Sequence, residues 1–250
     1  MDRRTVVIRY DAVLVEEAVL AALRRSSAAV QREFHARRSP VYERPAPEER
    51  EACFEALHAE WFTRLGLDAP LHQALQERPE VQRAVGECRV WPARSRRAEL
   101  ADLAEAARGP DERILLVRVR PDSLAESRRL LVWLRHELFH VADMLDPRYG
   151  YRPRLPHAQD GPLLDSLLRE RYRVVWNVTV GGRLLRERRE ATSVRDRLWP
   201  EFQRAFSMLG GQAEASFDRW FRETAPSHAT IAEFVRDPRL AAGAVAGGRT

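Results

Sequence analysis

The chain has 250 residues, 44% of them hydrophobic and 32% charged, the balance of a globular protein long enough to bury a real core. No apolar run approaches the roughly 20 residues of a membrane span, and Val6-Val7-Ile8 is too short for a secretory core, so a cytoplasmic location without a membrane partner is expected. The formal charge is +5, yet all 42 basic residues are arginines interspersed with glutamates; with no sustained basic block and no zinc-finger spacing, nucleic acid is not an expected partner.

The first 85 residues read as a helical part. One helix is expected over 11–37, a second from Glu48 to Leu65 closed by Gly66, and a short third from Pro70 to Glu77 stopped by Pro79. Cys53 and Cys88 stand apart, with no C-x-x-C, and read as free thiols. From residue 86 to 238 the character changes. Glu87 to Trp91 is a strand candidate, Ala98 to Ala107 a helix candidate, and Arg113 to Arg120 a strand ended by Pro121. Ser123 and Glu126 have capping-box spacing, so a helix is expected from Leu124 to about Asp146, before Pro147.

The loop from Pro147 to His157 carries too many prolines for regular structure. Gly161-Pro162 opens a further helix, expected to stop at Gly181-Gly182, with β-branched Val174, Val175, Val178, Thr179 and Val180 making its second half equally readable as a hairpin strand. Helices over about 183–209 and 213–223 follow, and residues 239–250 read as a disordered tail. The fold class expected is α+β and predominantly helical, with a small sheet beside the helix that follows Pro121.

That helix contains the segment that carries chemistry: Leu134-Arg135-His136-Glu137-Leu138-Phe139-His140-Val141-Ala142. This is an H-E-x-x-H motif in an apolar setting without proline. Residues four apart lie one turn above each other on a helix face, so His136 and His140 can point two imidazoles at one metal ion. Glu137 is placed to take a proton from water rather than to bind the metal. Zn²⁺ ligation with a general base is the chemistry that this spacing serves.

A strand, an H-E-x-x-H helix, an irregular loop and a second helix, spanning roughly residues 86–180, resemble the zincin metallopeptidases, and among them most the gluzincins. The resemblance implies a zincin-like fold, Zn²⁺ as cofactor, a peptide or protein substrate, and hydrolysis with Glu137 as general base. It also implies a third zinc ligand on the helix after the motif. Glu170 is the leading candidate: it follows His140 by 30 residues and falls on a stripe of Leu163, Leu167, Val174 and Val178. On an apolar face its carboxylate would need a partner, a metal or an arginine such as Arg135 or Arg173. The chain departs from the gluzincin pattern in having Val174 where many members carry an aspartate.

Asp143, Asp146 and His157 are rival ligands. Asp146 lies six residues after His140, where metzincin-like enzymes place a third ligand, and Asp146-Pro147-Arg148-Tyr149-Gly150 echoes the D-x-x-Y-G element of aspzincins. Metzincins, however, need glycine at the position of Asp143, which otherwise reads as a carboxylate orienting a ligand histidine. Tyr149, Tyr151, His157 and Tyr172 are candidates to stabilise an oxyanion. Arg118 and its neighbours offer an edge strand to an extended peptide. The alternative to an enzyme is a non-catalytic metal-binding or interaction module on the same scaffold.

Overall fold

A computed structural model describes residues 6–106, 109–153, 155 and 161–241, and nothing of the side chains of residues 105–112. The fold is predominantly helical with a small mixed sheet, an α+β architecture. Its packing separates two compact units, one ending at Val141 and one beginning at Ala142. The N-terminal helices and the described strands of the sheet belong to the first unit. From residue 242 on, the expected tail lies outside the described residues.

In the first unit, β1 (Val7–Tyr10) precedes α1 (Ala12–Leu23), which Asp11 caps by accepting from Leu14 N. The single helix expected over 11–37 is two: Arg24-Arg25-Ser26-Ser27 interrupts it, and Ser27 caps α2 (Ala28–Arg38). Next come α3 (Pro47–Arg64), closed by Gly66 at φ +67, and α4 (Ala69–Gln76). Pro79 does not end helical structure there; it opens α5 (Pro79–Ala84), as proline in a first turn does. Trp61 and Phe34 are fully buried and meet edge to face with ring centroids 5.2 Å apart.

The sheet holds β2 (Val85–Pro92), β3 (Leu100–Ala106) and β4 (Gly109–Val119), in the order β1-β2-β4-β3. The first three strands in that order run parallel; β3 pairs antiparallel with β4. Two sequence expectations fail here. Within the helix expected over 98–107, Leu100–Ala106 form a strand instead: Ala, Leu and Glu favour helix only weakly, and pairing with β4 overrides that preference. Arg118 lies inside the sheet, because β4 is flanked by β2 and β3. The two edges of the sheet among the described strands are β1 and β3.

Leu115, Val117 and Val119 alternate onto the buried face of β4. A short α6 (Pro121–Leu124) then leads to α7 (Ser127–Leu145). The capping box does not form, since the Ser123 hydroxyl donates to Glu99 Oε1 at 2.6 Å and Glu126 pairs with Arg25. Leu130, Leu134, Leu138 and Val141 make the buried stripe of α7.

The second unit is built around α8 (Pro162–Arg186), against which pack α9 (Val194–Ala205), α10 (Ala213–Arg222) and α11 (His228–Arg236). Helix α8 does not stop at Gly181-Gly182. A Cβ at Gly182 would lie 1.8 Å from the carbonyl oxygen of Phe221, and one at Gly181 would lie 2.5 Å from Leu198 Cδ1. The two glycines are there to let neighbouring helices approach, not to end the helix. The ending comes later, where Arg189 N donates to Leu184 O around Arg188 at φ 59, a left-handed position filled without glycine. Helix α11 carries a true capping box, Ser227 with Thr230, which the sequence reading passed over.

Candidate metal centre

The motif lies on α7 as its spacing requires. His136 and His140 are half-buried, with ring centroids 4.9 Å apart and planes inclined at 74°. The stripe that places Leu134 and Leu138 in the core turns the histidines and Glu137 toward the flank of the helix. Arg135, between Leu134 and His136, forks onto Glu77 with both nitrogens at 2.8 Å and fastens this turn to the end of α4. Phe139 is covered by the guanidinium of Arg78, 3.9 Å from its ring centroid.

Glu137 faces the edge strand. Its Oε2 accepts a long hydrogen bond, 3.5 Å, from the backbone N of Ala101 on β3. Leu103 N is taken by the side chain of Asp102 at 2.8 Å. The amides at 101 and 103 therefore point away from β4, as alternate residues of an antiparallel edge do. This edge of the sheet and the motif carboxylate thus lie side by side.

The second unit disposes of most of the rival residues. Asp143 is buried, and both of its oxygens are engaged: Trp176 Nε1 donates at 2.6 Å and Arg183 forks onto it at 2.8 and 2.6 Å. That is a structural ion pair rather than an open ligand. Asp146 accepts from the backbone N and the guanidinium of Arg148, and these bonds hold its carboxyl below the usual range. Tyr149 and Tyr172 share a 2.7 Å hydroxyl–hydroxyl hydrogen bond, and Tyr172 continues to His228 Nδ1 at 2.8 Å. Burial pushes both phenols up and His228 down. Tyr149 and Tyr151 each stack on Trp176. The two tyrosine hydroxyls thus tie the loop after α7 to α8 and α11. His228 was not foreseen; its only sequence signal is the cap residue Ser227 before it.

Glu170 does not sit where the stripe argument put it. Leu163 is 87% exposed and Leu167 40%, and Glu170 beside them is exposed. Val174 and Val178 of the expected stripe are buried, but the stripe is uncovered as far as Glu170; the other buried residues of α8 include Leu168, Tyr172, Val175 and Thr179. The Glu170 carboxylate therefore has no desolvation that calls for a metal. Arg173, one of its expected ion-pair rivals, pairs with Glu201 at 2.6 Å. His157 lies outside the described residues. Among the described residues, no group of three or more His, Cys, Asp or Glu side chains stands together to hold a metal ion.

Compared with family models, with curated proteins and with solved structures, the chain matches none. No helix of the described residues is long and apolar enough to cross a membrane.

Proposed function

We propose that this protein is a zinc-dependent peptidase whose chemistry is centred on α7. The observation that carries the reading is the pairing of the motif with the sheet edge. His136 and His140 stand side by side, and Glu137 between them in sequence reaches the outward-facing amide of Ala101 at 3.5 Å. Two imidazoles one turn apart fit two positions of a zinc site. Zinc, when bound, supplies Lewis acidity and acidifies water.

The remaining work falls to the chain. An extended peptide adding to the open edge of β3 would pair with the amides at 101 and 103 and displace the long contact from Glu137. Its scissile carbonyl would then pass beside the Glu137 carboxylate. That carboxylate would accept a proton from the attacking water and return it to the leaving nitrogen. Glu170 is proposed as third ligand on the resemblance alone.

The second reading, a non-catalytic metal-binding or interaction module, has one observation on its side: two histidines without a third ligand beside them among the described residues. One experiment separates the two. Purified protein is assayed for bound zinc and for cleavage of a broad peptide mixture, alongside Glu137→Gln, His136→Ala and His140→Ala. The peptidase reading expects each histidine variant to lose the metal, and Glu137→Gln to keep the metal and lose cleavage. Full zinc occupancy in both histidine variants would remove the site. Zinc without any cleavage by the unaltered protein would favour the module.

A further inference from the structure

The first unit contains a cavity of about 610 Å³ between α1, the end of α2 and α3. Three polar atoms of residues lining it are buried without a hydrogen-bond partner: Tyr10 Oη, Arg38 Nε and His58 Nε2. His58 is only 3% exposed. A buried donor or acceptor left unpaired is unfavourable, so Arg38 and His58 call for a missing partner in the cavity, whereas the hydroxyl of Tyr10 lies toward Cys88 and Asp68. Arg38 is in no ion pair among the described residues; its guanidinium lies over the rings of Tyr42 and Phe54, 5.4 and 5.8 Å from their centroids. His58 stacks on the same Phe54 ring at 6.3 Å. One aromatic floor is therefore flanked by a cation and by an imidazole whose pKa burial lowers.

Carboxylates line the cavity as well: Glu16 on the side of His58, and the exposed Glu51 and Glu55, none of them in an ion pair among the described residues; Arg50, the second cation of the lining, donates to the carbonyl of Arg44 at 3.2 Å. A dianion such as phosphate would meet three carboxylates; a simple cation would meet Arg38. A molecule carrying one negative and one positive end, with an apolar body against Phe54 and Val13, complements Arg38 and His58 at one end and the three glutamates at the other. The volume falls in the range of ordinary small-molecule sites, roughly 300–1,000 Å³, and admits a dipeptide.

We propose that this cavity binds a short zwitterionic peptide with apolar side chains, its carboxylate between Arg38 and His58 and its ammonium among Glu16, Glu51 and Glu55. The site lies apart from His136, Glu137 and His140 in the chain and does not depend on the metal or on catalysis.

The test is calorimetric titration of the full chain with the dipeptide phenylalanyl-leucine, its C-terminal amide, its N-acetyl derivative and inorganic phosphate. The free dipeptide should bind saturably and shift the ring resonances of His58. Each capped form should bind about tenfold or more weakly, the loss expected for one charge-assisted hydrogen bond. Arg38→Met should weaken the free dipeptide similarly and erase its advantage over the amide. The exposed pair Glu51→Gln and Glu55→Gln, which leaves the interior untouched, should erase its advantage over the acetyl form. Absence of saturable binding, equal binding of the capped forms, or phosphate binding as well as the dipeptide would each overturn the proposal.

Discussion

Gly182→Ala should destabilise the protein although alanine is the better helix former. Residue 182 lies inside α8, and there the exchange alone would favour the helix by about 1 kcal/mol. The added methyl would sit 1.8 Å from Phe221 O and 2.8 Å from its carbonyl carbon, so α8 and the end of α10 must separate by well over an ångström. That carbonyl also accepts from Arg186 Nη1 at 2.9 Å, a bond of the charge-assisted kind worth about 1.5–3 kcal/mol. Overpacking of about 1–3 kcal/mol, the weakened bond and the helical gain combine to a net loss of about 2–4 kcal/mol. At roughly 2–4 °C per kcal/mol for a chain of this size, the melting temperature should fall by about 4–16 °C. Thermal and urea melts followed by circular dichroism would measure it. Gly211→Ala serves as the comparison, because a Cβ there meets nothing within 4 Å. A Gly182→Ala protein as stable as Gly211→Ala would refute the close approach of the two helices.

Asp143→Asn should cost about 3 kcal/mol in urea unfolding, because it leaves the buried guanidinium of Arg183 facing a neutral group; a change below 1 kcal/mol would mean that the pair is solvated. Arg188→Gly should raise stability by up to about 1 kcal/mol, relieving a side chain at φ 59, and an unchanged melting curve would argue against the left-handed helix end. Burial holds His58 and His228 below their ordinary pKa, so the unfolded chain takes up more protons than the folded one as pH drops below about 6.5. The stability that these residues contribute is complete above that pH and is lost on acidification; the urea midpoint should fall between pH 7.5 and 5.5, and fall less in His58→Gln. Glu170→Gln should lower zinc content as far as the histidine variants do if Glu170 is the third ligand, and zinc retained at the unaltered level would exclude it.

The sequence made some of this legible for clear reasons. Proline and glycine punctuate the chain strongly, so α3, α4 and the start of α8 at Gly161-Pro162 fall where expected. The alternation Leu115, Val117, Val119 marked β4, and the i, i+4 histidines marked one helix face. Other features depend on partners distant in the chain. Leu100 to Ala106 has helix-forming composition and becomes a strand only because β4 pairs with it. Gly181-Gly182 reads as a stop signal until Phe221 and Leu198 press against it. The stripe through Leu163, Leu167, Glu170, Val174 and Val178 had the right period, but only Val174 and Val178 are covered, because periodicity finds a face without saying how far along the helix it is buried. Asp143 differs again: its spacing from His140 suggested a role near the metal, but Trp176 and Arg183, over thirty residues on, claim both oxygens.

The strand order β1-β2-β4-β3 also sets a timetable for folding. Val7 pairs with Glu87, and Val85 pairs with Arg113, so the sheet waits for chain segments far apart in sequence to meet. Only the β3–β4 hairpin closes locally. On the ribosome, β1 emerges well before β2, so it stays unpaired until about 80 further residues have been made. Closing such loops is entropically slow, whereas the helices around α8 need only near neighbours. The second unit, helical among its described residues, is made after the first and has the shorter search.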